Sequence, residues 1–219
     1  MKYMIASDIH GSAFYCREML KAYDRERADR LIILGDILYH GPRNDLPMGY
    51  APKEVIAMLN ERKETLLCVR GNCDTDVDQM VLEFPILAEY CLLDINGQII
   101  YAAHGHKQNP ENPPLLKSGD ILLNGHTHIP ACDTFITGDG AKCIYMNPGS
   151  VSIPKENSEH SYMMVEREWA EAACPSDDCF IHRFLWKNLE GAVYKKWTTD
   201  LRYWLMRTMY LQITSSLYW

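Results

Sequence analysis

Three apolar runs in the first 70 residues, Lys2 to Ser7, Arg30 to Leu34 and Leu66 to Arg70, are separated by two segments of helix length. Each run is short and flanked by polar or turn residues, which suits a buried strand better than a helix. Between them, Ala13 to Arg27 carries apolar positions at Phe14, Met19, Leu20 and Tyr23. Pro52 to Arg62 opens with Pro in the first helical turn and sets Val55, Ile56 and Leu59 on one face. A repeated strand–helix–strand order commits this half of the chain to a parallel sheet.

The second half has a different grain. Leu87 to Leu93 and Gln98 to Ala103 flank Asp94-Ile95-Asn96-Gly97, a hairpin signal. Runs at Ile121 to Leu123, Cys132 to Thr137, Lys142 to Met146, Ser161 to Val165 and Phe180 to Trp186 are broken by Gly, Pro, Asn and Asp, and predict further antiparallel strands. A long loop, Gly41 to Tyr50, follows a strand, where loops are often functional.

At 219 residues the chain can bury a full core. With 22 basic and 29 acidic residues it carries a net charge of −7, which disfavours gripping extended nucleic acid. A small phosphorylated substrate remains compatible, because bound divalent cations reverse the local field. The apolar run before Asp8 is too short for a signal peptide, and no uncharged stretch is long enough to span a bilayer. The eight cysteines contain no CxxC pair, Cys174 and Cys179 being no nearer than five apart, and read as reduced thiols of a cytoplasmic protein.

The chemistry sits where the apolar runs end. Asp8-Ile9-His10, Gly35-Asp36, Gly71-Asn72, His104-Gly105-His106 and Gly125-His126-Thr127-His128 each follow such a run. Loops at the carboxyl ends of strands converge on one crevice in α/β sheets, so these groups can meet. Any one of them alone is a weak signal. Together they account for five of the eight histidines, and His40 lies just behind Asp36. Carboxylate, imidazole and amide donors suit manganese, iron, nickel or zinc, and seven of them are too many for one open catalytic ion. They fit a pair of ions sharing a carboxylate, about 3.5–4 Å apart as in two-metal hydrolases.

This ordered set resembles the signature of the calcineurin-like metallophosphoesterase superfamily. The stretches Gly35 to Asn44, Leu46 to Pro52, Arg70-Gly71-Asn72-Cys73-Asp74 and Asn147-Pro148-Gly149-Ser150 are similar to its bacterial YfcE-type phosphodiesterase branch. The resemblance covers residues 1 to about 198. It implies a four-layer α/β/β/α sandwich of two mixed sheets and a dinuclear site, commonly filled with manganese, that hydrolyses a small phosphodiester with a metal-activated hydroxide. By position, Asp8, His10, Asp36 and His128 would hold one ion, and Asp36, Asn72, His104 and His126 the other, with Asp36 bridging.

One position departs from the wider superfamily. Cys73 stands where that superfamily usually has a His thought to protonate the leaving group, with Asp74 next to it to orient it. A thiol with an ordinary pKa of about 8.5 is a poor acid at neutral pH. The alternatives are a good leaving group, or a proton from His40 or His106, of which His40 in the long loop is preferred. Arg43 and Arg70 are candidate phosphate clamps. Asn44 reads as a loop cap, Asn147 to Ser150 as a turn supporting the site, and His160 and His182 as surface or strand positions.

Residues 1–199 thus read as one metallophosphoesterase domain and 200–219 as an aromatic-rich tail, whose preferred role is a helix packed on a second subunit. Two rival functions keep the same residues: a phosphomonoesterase or nucleotide pyrophosphatase, and a non-catalytic scaffold of the same fold.

Overall fold

The N-terminal apolar runs form strands β1 (Tyr3–Ala6), β2 (Arg30–Ile33) and β3 (Leu66–Cys68), all parallel, with Ile5 opposite Ile32 and Ile33 opposite Cys68. A computed structural model describes residues 1–95, 97–169 and 180–198. Helix α1 (Ala13–Glu26) starts at Ser12, whose Oγ accepts the Tyr15 N–H at 3.1 Å, and ends at Arg27 in the left-handed region. Helix α2 (Pro52–Asn60) begins on its proline.

The strands are apolar throughout because both faces are buried. Met4, Ala6, Leu31 and Ile33 pack against Cys16, Met19 and Leu20 of α1 and Val55 and Leu59 of α2. The alternate residues Ile5 and Ile32 face a second core with Ile100, Ile121, Leu123 and Met146. A period of two therefore reads as a continuous run.

The first sheet is completed on one side by β9 (Ser161–Trp169), β10 (Phe180–Asn188) and β11 (Val193–Thr198), giving the order β11-β10-β9-β1-β2-β3. The second contains β4 (Cys91–Ile95), β5 (Gln98–Ala102), β6 (Ile121–Leu123), β7 (Ala131–Ile136) and β8 (Lys142–Asn147) in the order β4-β5-β6-β8-β7. The fold is thus an α/β sandwich of two mixed sheets. Its outer second face carries a smaller cluster in which Leu116, from the segment between β5 and β6, covers Leu122 and Cys143.

Three sequence expectations shift. The later strands are not all antiparallel, since β6 pairs parallel with both β5 and β8. The expected strand from Leu87 begins only at Cys91, because Ala88 O accepts the Arg70 N–H at 2.7 Å and ties that segment to the end of β3. Strand β11 was unforeseen; it alternates exposed and half-buried positions and includes Lys195 and Lys196, an edge pattern with little apolar signal. A short helix α3 (Asp76–Gln79) held by a Thr75–Asp78 capping box also appears.

No helix among the described residues is long and apolar enough to cross a membrane. The tail from residue 200, and with it the expected subunit contact, lies outside the described residues, as do Cys174 and Cys179. The six described cysteines are free.

Candidate metal centre

The carboxyl ends of β1, β2, β3, β5 and β6 meet at one edge of the sandwich, and backbone hydrogen bonds continue past the strands to hold them there. Asp8 N–H reaches Gly35 O at 3.2 Å, His10 N–H reaches Asp36 O at 2.9 Å, and Gly125 N–H reaches His104 O at 2.8 Å. All seven residues singled out in the sequence converge. Asp8, His10 and His128 form one group, while Asp36, His104 and His126 form a second, with ligand atoms inside each within 4.8 Å of one another. Asn72 Oδ1 joins the second group, 3.0 Å from His104 Nε2.

The arrangement of protons shows what this centre accepts. His10, His104 and His128 each place Nδ1 on a backbone carbonyl: Tyr39 O at 2.7 Å, Leu34 O at 2.7 Å and Ile153 O at 2.6 Å. A carbonyl only accepts, so each Nδ1 carries a proton and each ring turns its Nε2 inward. His10 Nε2 and His128 Nε2 then face each other at 3.3 Å. Asp8 Oδ1, buried and without a hydrogen-bond donor, lies 3.6 Å from the first and 3.3 Å from the second. Two imidazole nitrogens and a carboxylate oxygen converging on one point fit a cation.

Asp36 links the two groups. Its Oδ1 accepts the Cys73 N–H at 2.8 Å, which leaves Oδ2 at 3.7 Å from His10 Nε2 and 3.4 Å from His104 Nε2. Burial alone would lower the His104 pKa, yet the Asp36 and Asp8 carboxylates raise it to about 9. Positive charge is favoured at that point. His126 shows the converse, pushed down to about 4 by burial and by the charge on His104.

Local sequence makes the approach possible. A Cβ on Gly71 would overlap the Asp36 carboxylate and backbone nitrogen, and one on Gly125 would overlap Ser7 Oγ. The ligand positions themselves are strained: Asp8, His10, Asp36, His126 and His128 have φ between 49° and 65°.

The residues expected beside the ligands divide. Cys73 lines the cleft, with burial and then the Asp36 charge pushing its thiol up to about 12, so it stays protonated. Asp74 does not point at the cleft. Its buried carboxylate accepts three backbone N–H groups, from Asp36 at 2.8 Å, Ile37 at 2.9 Å and Gly71 at 2.7 Å. It clamps the two ligand loops rather than orienting an acid. His40 is packed edge-on against Tyr39 and Tyr50, at 4.7 and 5.4 Å, and does not line the cleft. His106 stands behind the second group, its ring 5.4 Å from His104. Arg70 Nε donates to Asp74 O at 3.3 Å, which is a structural contact. Asn44 caps its loop through His40 O at 2.8 Å. His160 is half-buried in a bend just before β9: its ring stacks on Tyr15 at 3.9 Å and its Nδ1 meets Val151 O.

A cleft of about 480 Å³ opens over these groups, lined by His10, Asp36, Asn72, Cys73, His126 and His128 below, and by Gly41 to Asn44, Thr127 and Lys155 at the rim. Sequence reasoning missed Lys155, since a lone lysine in a loop carries no signal. It also gave no detail for Ser150 and Ser152, whose hydroxyls both donate to Asp8 O, at 3.0 and 2.9 Å.

Residues 1–169 match the calcineurin-like phosphoesterase superfamily domain, and the chain belongs to that superfamily. Phosphodiesterase YfcE of Escherichia coli K12 is 43% identical over 181 residues, which cover 83% of this chain and 96% of the relative. The solved structure of Yfce, a phosphoesterase from E. coli, aligns with a TM-score of 0.78 and 39% identity over 91% of this chain and 100% of that one. A conserved uncharacterized protein from Streptococcus pneumoniae shares the fold at a TM-score of 0.50 and 21% identity, covering 90% of this chain and 97% of its own.

Proposed function

We propose that this chain is a cytoplasmic phosphodiesterase that hydrolyses a small phosphodiester with two divalent cations, manganese being the best fit to its nitrogen and oxygen donors. Asp8, His10, Asp36 and His128 hold one cation; Asp36, Asn72, His104 and His126 hold the other, and residues 1–199 form the catalytic domain. The observation that carries this reading is the convergence of imidazole nitrogens and carboxylate oxygens on two adjacent points that share Asp36 Oδ2. The name of the E. coli relative supplies the reaction type.

When bound, such a cation pair activates water and neutralises charge on a phosphoryl group. The protein's own part is positional. Carbonyls at Tyr39, Leu34 and Ile153 fix the imidazole tautomers, and the Cys73 amide fixes which Asp36 oxygen is shared. Arg43 lines the cleft. The Cys73 thiol is too weak an acid to serve a poor leaving group. Activity is therefore expected to favour esters with good leaving groups.

The test is hydrolysis of bis(p-nitrophenyl) phosphate and p-nitrophenyl phosphate side by side, with manganese and with EDTA. The diester should be cleaved faster, only with metal. Monoester preference would favour the phosphatase alternative; loss of both activities in metal-loaded protein would favour the scaffold.

A further inference from the structure

We infer that Lys155 and Arg43 form an anion-binding rim that selects phosphodiesters carrying a second anionic group; the inference rests on the phosphodiesterase reading above. The two cations come from separate loops and both line the cleft. Neither makes a side-chain hydrogen bond or ion pair with any described residue, although Asp45, Glu156 and Glu159 are close in sequence. Several other cations of the chain are engaged, among them Arg62 with Asp24, Lys107 with Glu89 and Lys187 with Glu26. In a chain of net charge −7, two unpartnered cations over one cleft are a local reversal of field.

Lys155 is exposed, yet its backbone is fixed to the centre. Its N–H donates to His128 O at 3.2 Å, two residues after Ile153 O accepts the His128 Nδ1–H. Its carbonyl accepts both the Ser158 N–H at 3.0 Å and the Ser158 hydroxyl at 2.6 Å, closing a turn in which Glu156 and Asn157 adopt φ of 53° and 56°. Residues outside glycine seldom take that conformation without a local reason. On the other loop, the Asn44–His40 hydrogen bond braces Arg43, and Gly41 lies against Cys73. Both cations thus have rigid bases beside the ligand groups.

The charge of the substrate follows. A simple phosphodiester is a monoanion, and that charge is met by the centre on the cleft floor. Two further cations at the rim match a further phosphate or carboxylate on one of the ester arms. A lysine contributes a mobile point charge and an arginine a planar fork, which together accept an anion of variable position.

The test compares thymidine 5′-(p-nitrophenyl phosphate) with the same ester bearing a 3′-phosphate, so that leaving group and nucleoside are constant. Wild type with manganese should prefer the 3′-phosphorylated ester. In Lys155→Gln the ratio of kcat/KM between the two should fall about tenfold through KM, the scale for an exposed hydrogen bond to a charged group, and Lys155→Arg should restore it. Binding of thymidine 3′,5′-bisphosphate to the protein in EDTA, followed by calorimetry, gives a readout independent of turnover and should weaken in parallel. An unchanged ratio in Lys155→Gln, or equal loss on both esters, overturns the rim assignment alone. Wild type that cleaves neither ester overturns the phosphodiesterase reading instead, and the calorimetric arm then decides Lys155 by itself.

Discussion

Replacing Asp74 by Asn tests whether this carboxylate acts as a clamp on the ligand loops. One of its oxygens, Oδ2, takes the Asp36 and Gly71 N–H groups, and Oδ1 takes the Ile37 N–H at 2.9 Å. An asparagine can put its carbonyl oxygen where two donors meet, but its NH2 then opposes the Ile37 N–H. One hydrogen bond to a charged acceptor is lost, worth about 1.5–3 kcal/mol, and a donor–donor contact replaces it. There is an opposing contribution. Burial raises the Asp74 carboxyl above its ordinary range, and the amides bring it only part of the way back, so removing the charge returns some stability. The net expectation is a loss of about 2 kcal/mol in urea unfolding. Because the Ile37 amide adjoins Asp36, manganese affinity measured by calorimetry should fall about tenfold, the scale for groups that support metal ligands. Asp74→Ala, which strands all three amides, should lose more than Asp74→Asn. If Asp74→Asn unfolds within about 0.5 kcal/mol of wild type and binds manganese equally well, the clamp argument is wrong.

Asp36→Asn should lower kcat/KM on bis(p-nitrophenyl) phosphate about a thousandfold, since several kcal/mol of charge stabilisation rest on the shared oxygen; retained activity would refute the bridging role. Gly71→Ala should destabilise by about 3 kcal/mol in chemical denaturation, because the added methyl meets the Asp36 carboxylate and backbone, which cannot retreat. Manganese at 100 times its Kd should stabilise wild type by about 2.7 kcal/mol in thermal melts, with no gain in Asp8→Ala. Glu26 tests a part of the fold remote from the centre: burial raises its pKa, but Lys187, bonded to both oxygens at 2.8 Å, and the Tyr162 hydroxyl bring it below its ordinary value of 4.5. A depressed carboxylate stabilises above its unfolded pKa and loses that contribution as pH falls through the folded value. The melting difference between wild type and Glu26→Gln should therefore be full at pH 7 and shrink below pH 4.5.

The convergence of the proposed ligands was legible because each follows an apolar run, and parallel strands deliver their carboxyl ends to one edge. Alternation of apolar runs with helical segments likewise announced the parallel part of the first sheet, β1 to β3. The second sheet was harder to read. Whether Ile99 to Ala103 pairs parallel or antiparallel with Ile121 to Leu123 depends on the crossover through Leu116, which has no helical period to announce it. Side-chain direction was harder still. Asp74 follows Cys73 in sequence, yet its carboxylate turns back toward the loops, whereas Cys73 faces the cleft. His40 lies in the expected loop, but aromatic packing with Tyr39 and Tyr50 holds its ring. Such choices are decided by tertiary packing, and spacing along the chain contains no record of them.

The five ligand positions at positive φ indicate how the centre keeps its shape. At about 1–2 kcal/mol each, left-handed backbone at non-glycine residues totals about 5–10 kcal/mol, comparable with the stability of a whole domain. That strain persists only where the surroundings determine it independently. Here they do so from outside the centre: Ser150 and Ser152 hold the Asp8 carbonyl, Asp74 holds the Asp36 amide, and Ile153 O holds the His128 ring. None of these supports uses an inward-facing acceptor. The inward-facing nitrogens and oxygens stay aligned in the folded chain, so a cation arriving between them displaces protons without having to reorganise the backbone. A site built that way binds metal through preorganisation, and its weak points are the supports outside the coordination set.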